Sequence, residues 1–285
     1  AFALGPVPVA SPATLHLDFM FEEDQVIYRY KYLSFNDGSL QTIAAGTMKF
    51  ANALDFNDPF DCHPHFDLEH ISELPKLKPQ LFKAAGDRRG LSPAQRLARK
   101  GEFLARLRES IYDGSFRRRQ IERIGVVSLS RDGNNVLMWS HYEDLHRGFM
   151  LEFRIPFFGT AIDSISAMDR LLPFAVKYQS ARPSIQIGLE LPDDLVEKIL
   201  LTKSDDWAYE QEERVVYQGR SPGIYAYRRD EILATVVAGL KMPTDHRQEL
   251  DAAVKHAAKS GLQGLSLYYA KEDSKEFGIT VPGHP

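Results

Sequence analysis

The stretch DDWAYEQEERVVYQ, residues 205–218, places three glutamates directly before an arginine and a short apolar run. The apolar run, 215–217, is typical of a strand, so the glutamates crowd the entrance of that strand. Like charges in this position cost stability unless another group offsets them. Because side chains alternate along a strand, Glu210 and Glu212 are predicted to share one face and Glu213 to take the other.

Two interpretations of this carboxylate pair stay open. In the first, the glutamates form a solvated strand entrance and Arg214 makes a surface ion pair. In the second, the two carboxylates divide the work of a reaction. One holds a ribose hydroxyl and stabilises an oxocarbenium-like centre, while the other orients or deprotonates an acceptor. The second interpretation needs a cationic or hydroxyl partner, because two carboxylates on one face raise each other's pKa.

Strand patterns on both sides of a helical middle predict an α+β fold. In residues 26–34, three tyrosines alternate with other residues at the two-residue period of a strand. Further strands are predicted at 47–52, 126–130, 149–153, 214–218, 233–239, 265–270 and 277–281. Helices are predicted at 38–46 and 192–203, and a last helix is predicted to be capped by Thr244 and ended by Gly261.

A basic helical insertion is predicted between about residues 70 and 124. Ser92 followed by Pro93 is a helix start signal. Apolar residues then recur at helical spacing, at Leu97, Leu104, Leu107 and Ile111, until Gly114 ends the run.

Positive charge is concentrated in this insertion, although the whole chain has a formal net charge of −4. From Lys83 to Arg123 there are twelve Lys or Arg residues, ten of them Arg, against five Asp or Glu. One interpretation is a solvated helical face. The other is a surface that contacts a nucleic acid or an acidic protein through Arg117, Arg118 and Arg119, because arginine suits bidentate phosphate contact.

Composition sets the remaining limits. The chain has 285 residues, and its one cysteine, Cys62, allows no disulfide within the chain, which favours a cytoplasmic site of action. No window approaches the length of a membrane span, so no membrane partner is expected. Residues 1–25, with an opening rich in proline, are predicted to be a linker or an expression-derived segment, and 26–285 a single α+β domain of catalytic type.

Common catalytic motifs are missing. The sequence has no glycine-rich phosphate loop and no nucleophile elbow. His141 and His146 are five positions apart, which is not the i, i+4 spacing of a zinc pair on a helix, so no metal site is predicted. The dense polar and aromatic run 139–147 is interpreted either as core with surface polar groups or as the wall of a binding site.

Several motifs, in order, resemble the domain-of-unknown-function family 2971. They are YRYKYLS (28–34), MKFANALDFNDPFDC (48–62), VVSLSRDGNNVLMWSHYEDLHRGFMLEF (126–153), KSDDWAYEQEERVV (203–216) and ATVVAGLKM (234–242). The family is bacterial and is found near phage-defence and toxin-like genes. This sequence departs from it at Glu213, where an aromatic residue is usual, and in a basic segment longer than is typical.

The same layout more distantly resembles the ADP-ribosyltransferase fold, which implies a split pair of small β-sheets with a helical insertion. YRYK then corresponds to the first site strand, SLS with SHY to the central one, and EQE to the catalytic strand. The resemblance implies NAD as the cofactor. It implies Glu212 as the principal catalytic carboxylate with Glu210 as its partner, and a cofactor-binding set of Tyr30, Lys31, Ser130, His141, Tyr142 and Arg214.

The function implied is an NAD-dependent ADP-ribosyltransferase that transfers ADP-ribose to a macromolecule, protein or nucleic acid. A bacterial toxin or anti-phage effector and an immunity protein as partner follow from the same resemblance. Because the first residue is not methionine and the opening is rich in proline, delivery within a larger secreted polypeptide is a further expectation. Two alternatives stay open. One is a non-enzymatic sensor of a nucleotide or a phage component. The other is a nucleic-acid-processing enzyme that works without metal.

Overall fold

The computed structural model describes residues 25–157, 164–187, 195–216 and 220–284. The predicted linker therefore lies outside the described residues, except for its last residue. The last two residues of the strand predicted at 214–218 lie outside them as well.

Strands dominate both ends of the described chain, and helices fill the middle. The strands are β1 (Gln25–Leu33), β2 (Thr47–Asn52), β3 (His65–Asp67), β4 (Gly125–Ser130), β5 (Phe149–Phe157), β6 (Phe174–Ala175), β7 (Lys177–Gln179), β8 (Ser184–Gln186), β9 (Thr202–Ser204), β10 (Glu212–Val216), β11 (Gly223–Ala226), β12 (Leu233–Ala238), β13 (Ser266–Tyr269), β14 (Lys271–Glu272) and β15 (Ile279–Thr280). The α-helices are α1 (Asp37–Ala44), α2 (Leu74–Leu77), α3 (Pro79–Asp87), α4 (Pro93–Ala98), α5 (Lys100–Tyr112), α6 (Ser115–Ile121), α7 (Val136–His141), α8 (Ser164–Asp169), α9 (Leu195–Leu200), α10 (Arg229–Ile232) and α11 (Thr244–Lys259). Short 3-10 helices occupy Ala53–Asp55, Ile71–Glu73 and Asp205–Glu210.

Of the two helix starts predicted from sequence signals, one is confirmed and the other is displaced by one residue. Ser92 caps α4 in a capping box with Gln95, as its sequence predicts. Thr244, predicted as the cap of α11, is instead its first helical residue after Pro243. Pro243 makes no side-chain hydrogen bond there.

The described strands form one nine-stranded sheet and three two-stranded sheets. The large sheet runs β11-β2-β4-β1-β5-β12-β13, with β10 pairing to β4 and β6 to β10. Its pairs are antiparallel except for β12 with β13. The small sheets are β14-β15, β3-β8 and β7-β9.

β4 is the strand at which the large sheet divides. β10 covers one edge of β4 from Val126 to Ser130. On the other edge, β2 pairs with Gly125 and Val126, and β1 pairs only with Ser130, opposite Tyr30. The middle of that edge therefore has no strand partner among the described residues. In this part of β4, the carbonyl of Ser128 accepts a hydrogen bond from Lys31 Nζ at 3.0 Å.

Apolar side chains cover both faces of the sheet, but in different ways. One face carries a continuous cluster, which includes Val127 and Leu129 of β4. The opposite face carries two separate clusters. One contains Val126 and most apolar residues of the helical middle, and the other contains Tyr32 with Trp139. Between these two clusters, polar residues occupy the sheet face.

These elements confirm the α+β class. The finer arrangement, a split pair of small sheets of the ADP-ribosyltransferase kind, stays a prediction. The residues predicted as an insertion carry α2 to α6. Leu97 does not share one helix with the rest of the predicted apolar repeat: it lies in α4, which ends before Arg99, and it is 70% exposed.

Candidate functional site

A cavity of about 210 Å³ lies where β1 and β4 diverge. Seven of the eight side chains predicted as site residues line it, and they come from segments far apart in the sequence. These seven are Tyr30, Lys31, Ser130, Tyr142, Glu210, Glu212 and Arg214. The convergence follows from the pairing of β4 with both β1 and β10, which aligns Ser130 with Tyr30 on one side and Glu212 on the other.

His141 is the predicted site residue that the structure leaves outside this cavity. It is the last residue of α7, and its side chain is exposed. Its ring centroid lies 6.3 Å from that of Tyr209, which does not line the cavity either. The predicted cofactor contact of His141 does not fit this placement.

Glu210 and Glu212 lie on the same side of the sheet, as predicted, but the alternation of side chains along a strand is not the cause. Glu210 ends the 3-10 helix Asp205–Glu210, and Gln211 follows in a left-handed conformation with φ 44°. The strand begins only at Glu212. Alternation does hold for Glu213, which points to the opposite face and pairs with Arg29.

Lys203 joins the two glutamates. Its Nζ lies 2.5 Å from Oε2 of Glu210 and 3.0 Å from Oε2 of Glu212, and 3.7 Å from Asp61. Burial alone would lower the pKa of Lys203, but the surrounding carboxylates, Glu212 first, raise it above its ordinary value. Lys203 is therefore a fixed cation at the centre of three acidic groups.

Arg214 is the second fixed cation, and its side chain is fully buried. Nε donates to Glu212 at 2.7 Å, and Nη2 donates to Glu212 at 2.9 Å and to Asp61 at 2.6 Å. Nη1 donates to Asp61 at 3.1 Å and to the Leu200 carbonyl at 2.7 Å. Because a guanidinium has five N–H donors, none remains for a phosphate. This geometry disagrees with the surface ion pair considered for Arg214, because the side chain is buried. It also disagrees with a cofactor contact, because Arg214 uses its donors to position carboxylates.

These cations keep Glu212 ionised although it is 5% exposed. Burial would raise the pKa of Glu212, but Arg214 and then Lys203 outweigh burial and lower the pKa to about 2. Asp61, Glu210 and Glu212 carry three formal negative charges against two positive charges on Lys203 and Arg214. The cluster thus has one formal negative charge in excess.

Lys31 adds a charge that depends on pH. Burial lowers the pKa of Lys31 to about 8, although the charge of Glu212 opposes this shift. Below that pH the positive charge of Lys31 balances the one excess negative charge of the cluster, and above it Lys31 is neutral and the excess remains.

The Ser130 and Tyr142 hydroxyls both bind Glu210, at different ends. Ser130 Oγ donates to the Glu210 carbonyl at 2.6 Å and accepts from the Asp132 amide at 3.0 Å. Ser130 therefore positions the Glu210 backbone and also lines the cavity, and its predicted cofactor contact stays a prediction. The Tyr142 hydroxyl donates to Oε1 of Glu210 at 2.5 Å and stands in the cavity lining.

A larger groove of about 550 Å³ adjoins the cavity, with Tyr30 lining both. Its other walls include Arg131, Asn134, Gln211 and His284. The Arg131 side chain is half exposed. The cavity and the groove together form a two-part site around Tyr30.

Lys203 and Asp61 are the site residues that sequence reasoning missed. The glutamate crowding itself required a nearby cation, but it did not indicate which one. The FNDPFD motif (56–61) contributed only to the family resemblance, with no site role assigned to it, whereas Phe56, Asn57 and Asp61 all line the cavity.

Within the part of the chain that the structure describes, no group of three or more His, Cys, Asp or Glu side chains is arranged to hold a metal ion. None of the described helices is both long enough and apolar enough to cross a bilayer.

The three consecutive arginines of α6 do not form one surface. Arg118 is exposed, whereas Arg117 and Arg119 are partly buried. Arg119 Nη1 donates back to Ser115 of its own helix, and Arg117 Nη1 donates to the Cys62 carbonyl.

Comparison with known proteins gave no match to a protein-family model, to a curated protein or to a solved structure. Membership of the domain-of-unknown-function family 2971 therefore stays a prediction.

Proposed function

We propose that the protein is an NAD-dependent ADP-ribosyltransferase that transfers ADP-ribose to a macromolecule. The observation that carries this proposal is the meeting of Tyr30, Tyr142, Glu210 and Glu212 in one cavity. Ionised carboxylates held in a buried cavity suit a reaction that develops positive charge on a ribose ring, because fixed charges act more strongly where water is excluded.

In this proposal the cavity and the groove each hold one half of the NAD molecule. The nicotinamide ribose occupies the cavity of about 210 Å³, and the adenosine half occupies the adjoining groove of about 550 Å³. The groove lies within the roughly 300–1,000 Å³ typical of ligand pockets. The half-exposed guanidinium of Arg131 lies at the groove, with its Nε 3.9 Å from Oε1 of Glu213, and in this proposal its other N–H groups contact the pyrophosphate.

The roles predicted for the two glutamates are exchanged in this proposal. Both oxygens of Glu212 are held by Arg214, and one also by Lys203. Each oxygen of Glu210 receives one hydrogen bond from the described residues, from Tyr142 and from Lys203. A carboxylate oxygen has about two acceptor sites, so by these hydrogen bonds Glu210 keeps one free site on each oxygen, whereas Glu212 keeps one only on Oε1. Glu210 is the proposed catalytic carboxylate, and Glu212 positions Lys203.

The proposed reaction breaks the bond between ribose C1′ and the nicotinamide nitrogen, and the electron pair leaves with nicotinamide. An oxygen or nitrogen of the acceptor then forms a bond to C1′ and loses a proton, which the Glu210 carboxylate accepts. The toxin or anti-phage role and an immunity partner come from the resemblance alone. Delivery within a larger secreted polypeptide and a cytoplasmic site of action come from sequence features, and all of these stay predictions.

The test is incubation of the protein with NAD labelled in the adenylate part and with bacterial extract or RNA. Label transfer or nicotinamide release is expected, and Glu210→Gln should reduce it at least about a hundredfold. Asp169→Asn is the control, because Asp169 is also ion-paired, with Arg220, but lines neither the cavity nor the groove.

Binding of NAD or another nucleotide without turnover would contradict the transferase and favour a sensor. Loss of nucleic acid without NAD would favour a nucleic-acid-processing enzyme instead. If NAD neither binds nor is turned over, NAD is not the ligand of this site.

A further inference from the structure

The loop 56–63, which follows β2 and a 3-10 helix, has two sides with different surroundings. Phe56, Asn57 and Asp61 line the cavity. On the other side, Phe60 is 61% exposed and His63 is partly exposed.

Arginines from two distant segments meet the outer side of this loop. The guanidinium of Arg182 lies 5.0 Å from the Phe60 ring centroid. Arg117 of α6 donates from Nη1 to the Cys62 carbonyl at 3.2 Å, and its Nε is buried without a hydrogen-bond partner among the described residues. We call the set Phe60, His63, Arg117, Arg118 and Arg182 the basic aromatic surface.

The basic groups of this surface influence one another. Burial and then Arg117 and Arg182 lower the pKa of His63. Burial lowers the pKa of Arg117 as well, and Arg118 and Arg182 add to this shift. These mutual effects indicate that the guanidinium groups lie close together.

Acidic groups do not offset this charge. Among the described residues, none of Arg117, Arg118 and Arg182 has a carboxylate within 4.0 Å. Like charges that are crowded without a counter-charge repel each other, and a bound polyanion would remove that cost. Arginine also forms bidentate hydrogen bonds with phosphate oxygens.

We infer that the basic aromatic surface binds a single-stranded nucleic acid. An exposed aromatic ring with a guanidinium stacked on it offers a flat platform for a base, and the neighbouring arginines contact the backbone phosphates. A duplex hides the faces of its bases, so the exposed Phe60 ring favours a single strand. That this nucleic acid is the acceptor of ADP-ribose rests on the proposed function. That it binds the basic aromatic surface does not depend on the proposed function.

The test is fluorescence anisotropy of a labelled 20-nucleotide single strand, RNA and DNA, from 50 to 200 mM salt. Three phosphate contacts give a slope of about −2 in a plot of log affinity against log salt, which is roughly a twenty-fold loss over this range. Phe60→Ala should weaken binding about five-fold to a hundred-fold and leave the slope unchanged.

A variant with Arg117→Gln, Arg118→Gln and Arg182→Gln should abolish most of the salt dependence. Its matched control replaces the exposed residues Arg99, Arg108 and Arg123 of the basic insertion with Gln, which changes the net charge of the protein by the same amount. If the triple variant fails to fold, Arg118→Gln with Arg182→Gln changes only exposed side chains and should still reduce the slope.

The inference would be overturned if neither single-stranded RNA nor single-stranded DNA showed salt-sensitive binding, or if the control variant weakened binding as much as the triple variant. Tighter binding of a duplex than of a single strand would also overturn it. So would binding of polyglutamate as tight as that of the oligonucleotide and unaffected by Phe60→Ala. Oligonucleotide binding without NAD turnover would contradict the proposed function and leave this inference standing.

Discussion

The hydroxyl of Tyr142 donates a hydrogen bond of 2.5 Å to Oε1 of Glu210, although the two residues are separated by 68 positions. This contact joins the segment after α7 to the end of the 3-10 helix before β10. It sets the orientation of the carboxylate that keeps a free acceptor site in the cavity.

Replacing Tyr142 with Phe removes this hydrogen bond and preserves the ring. A hydrogen bond to a charged group contributes about 1.5–3 kcal/mol, so the free energy of unfolding should fall by about that amount in urea titrations. NAD-dependent turnover should fall about tenfold to a hundredfold, because a misoriented carboxylate loses its alignment with the ribose. Tyr209→Phe is the control, since Tyr209 does not line the cavity. Equal effects of both substitutions would contradict the role of Tyr142.

Replacing Lys203 with Met should destabilise the fold strongly. It leaves Asp61, Glu210 and Glu212 with Arg214 as their remaining cation in the cluster. Removal of one partner from a buried ion pair costs about 3–5 kcal/mol. Glu210→Gln in the same chain should recover part of that loss, which a double-mutant cycle in urea measures. A loss below about 1 kcal/mol would mean that Lys203 is not essential to the cluster.

Acid should weaken the protein through Glu212. Its pKa is lowered in the fold, so its ionised form contributes stability above pH 4.5, and that contribution is lost as pH falls toward about 2. The contribution is about 3 kcal/mol. The stability difference between the wild type and Glu212→Gln should shrink over this range in thermal unfolding. A difference that stays constant from pH 5 to pH 2 would argue against the lowered pKa.

Glu143→Gln should stabilise the protein at neutral and alkaline pH. Glu143 is fully buried, neither of its oxygens has a hydrogen-bond partner among the described residues, and burial raises its pKa well above the ordinary value. The folded state therefore holds a proton that the unfolded state releases above about pH 4.5, and stability falls as pH rises, by up to about 1.4 kcal/mol per pH unit. Glutamine keeps the shape without this titration. A variant with the same pH dependence as the wild type would exclude Glu143 as its source.

The sequence was most informative where structure is local. The alternation in 26–34 and the strand patterns at 47–52 and 126–130 correspond to β1, β2 and β4, because period-two patterns and turn residues act over a few positions. The same local information placed Glu212 and Glu213 on opposite faces.

Long-range contacts account for what the sequence did not reveal. The left-handed Gln211 brings Glu210 beside Glu212, and nothing in residues 205–218 shows that bend. Lys203 and Asp61 bind the glutamates only after β9, β10 and the loop 56–63 come together. Ser130 was recognised as a site residue, but its engagement with the Glu210 backbone depends on the pairing of β4 with β10.

The loop 56–63 has a thermodynamic consequence. Asn57 and Asp61 face the cavity, and Phe60 and the Cys62 carbonyl face the arginines outside. A molecule that shifts this loop from one side changes the free energy of binding on the other. Such coupling is reciprocal, so each ligand must alter the affinity of the other by the same factor. The loop is a wall shared by both sites, so a ligand that displaced it in the cavity would change the affinity of the basic aromatic surface.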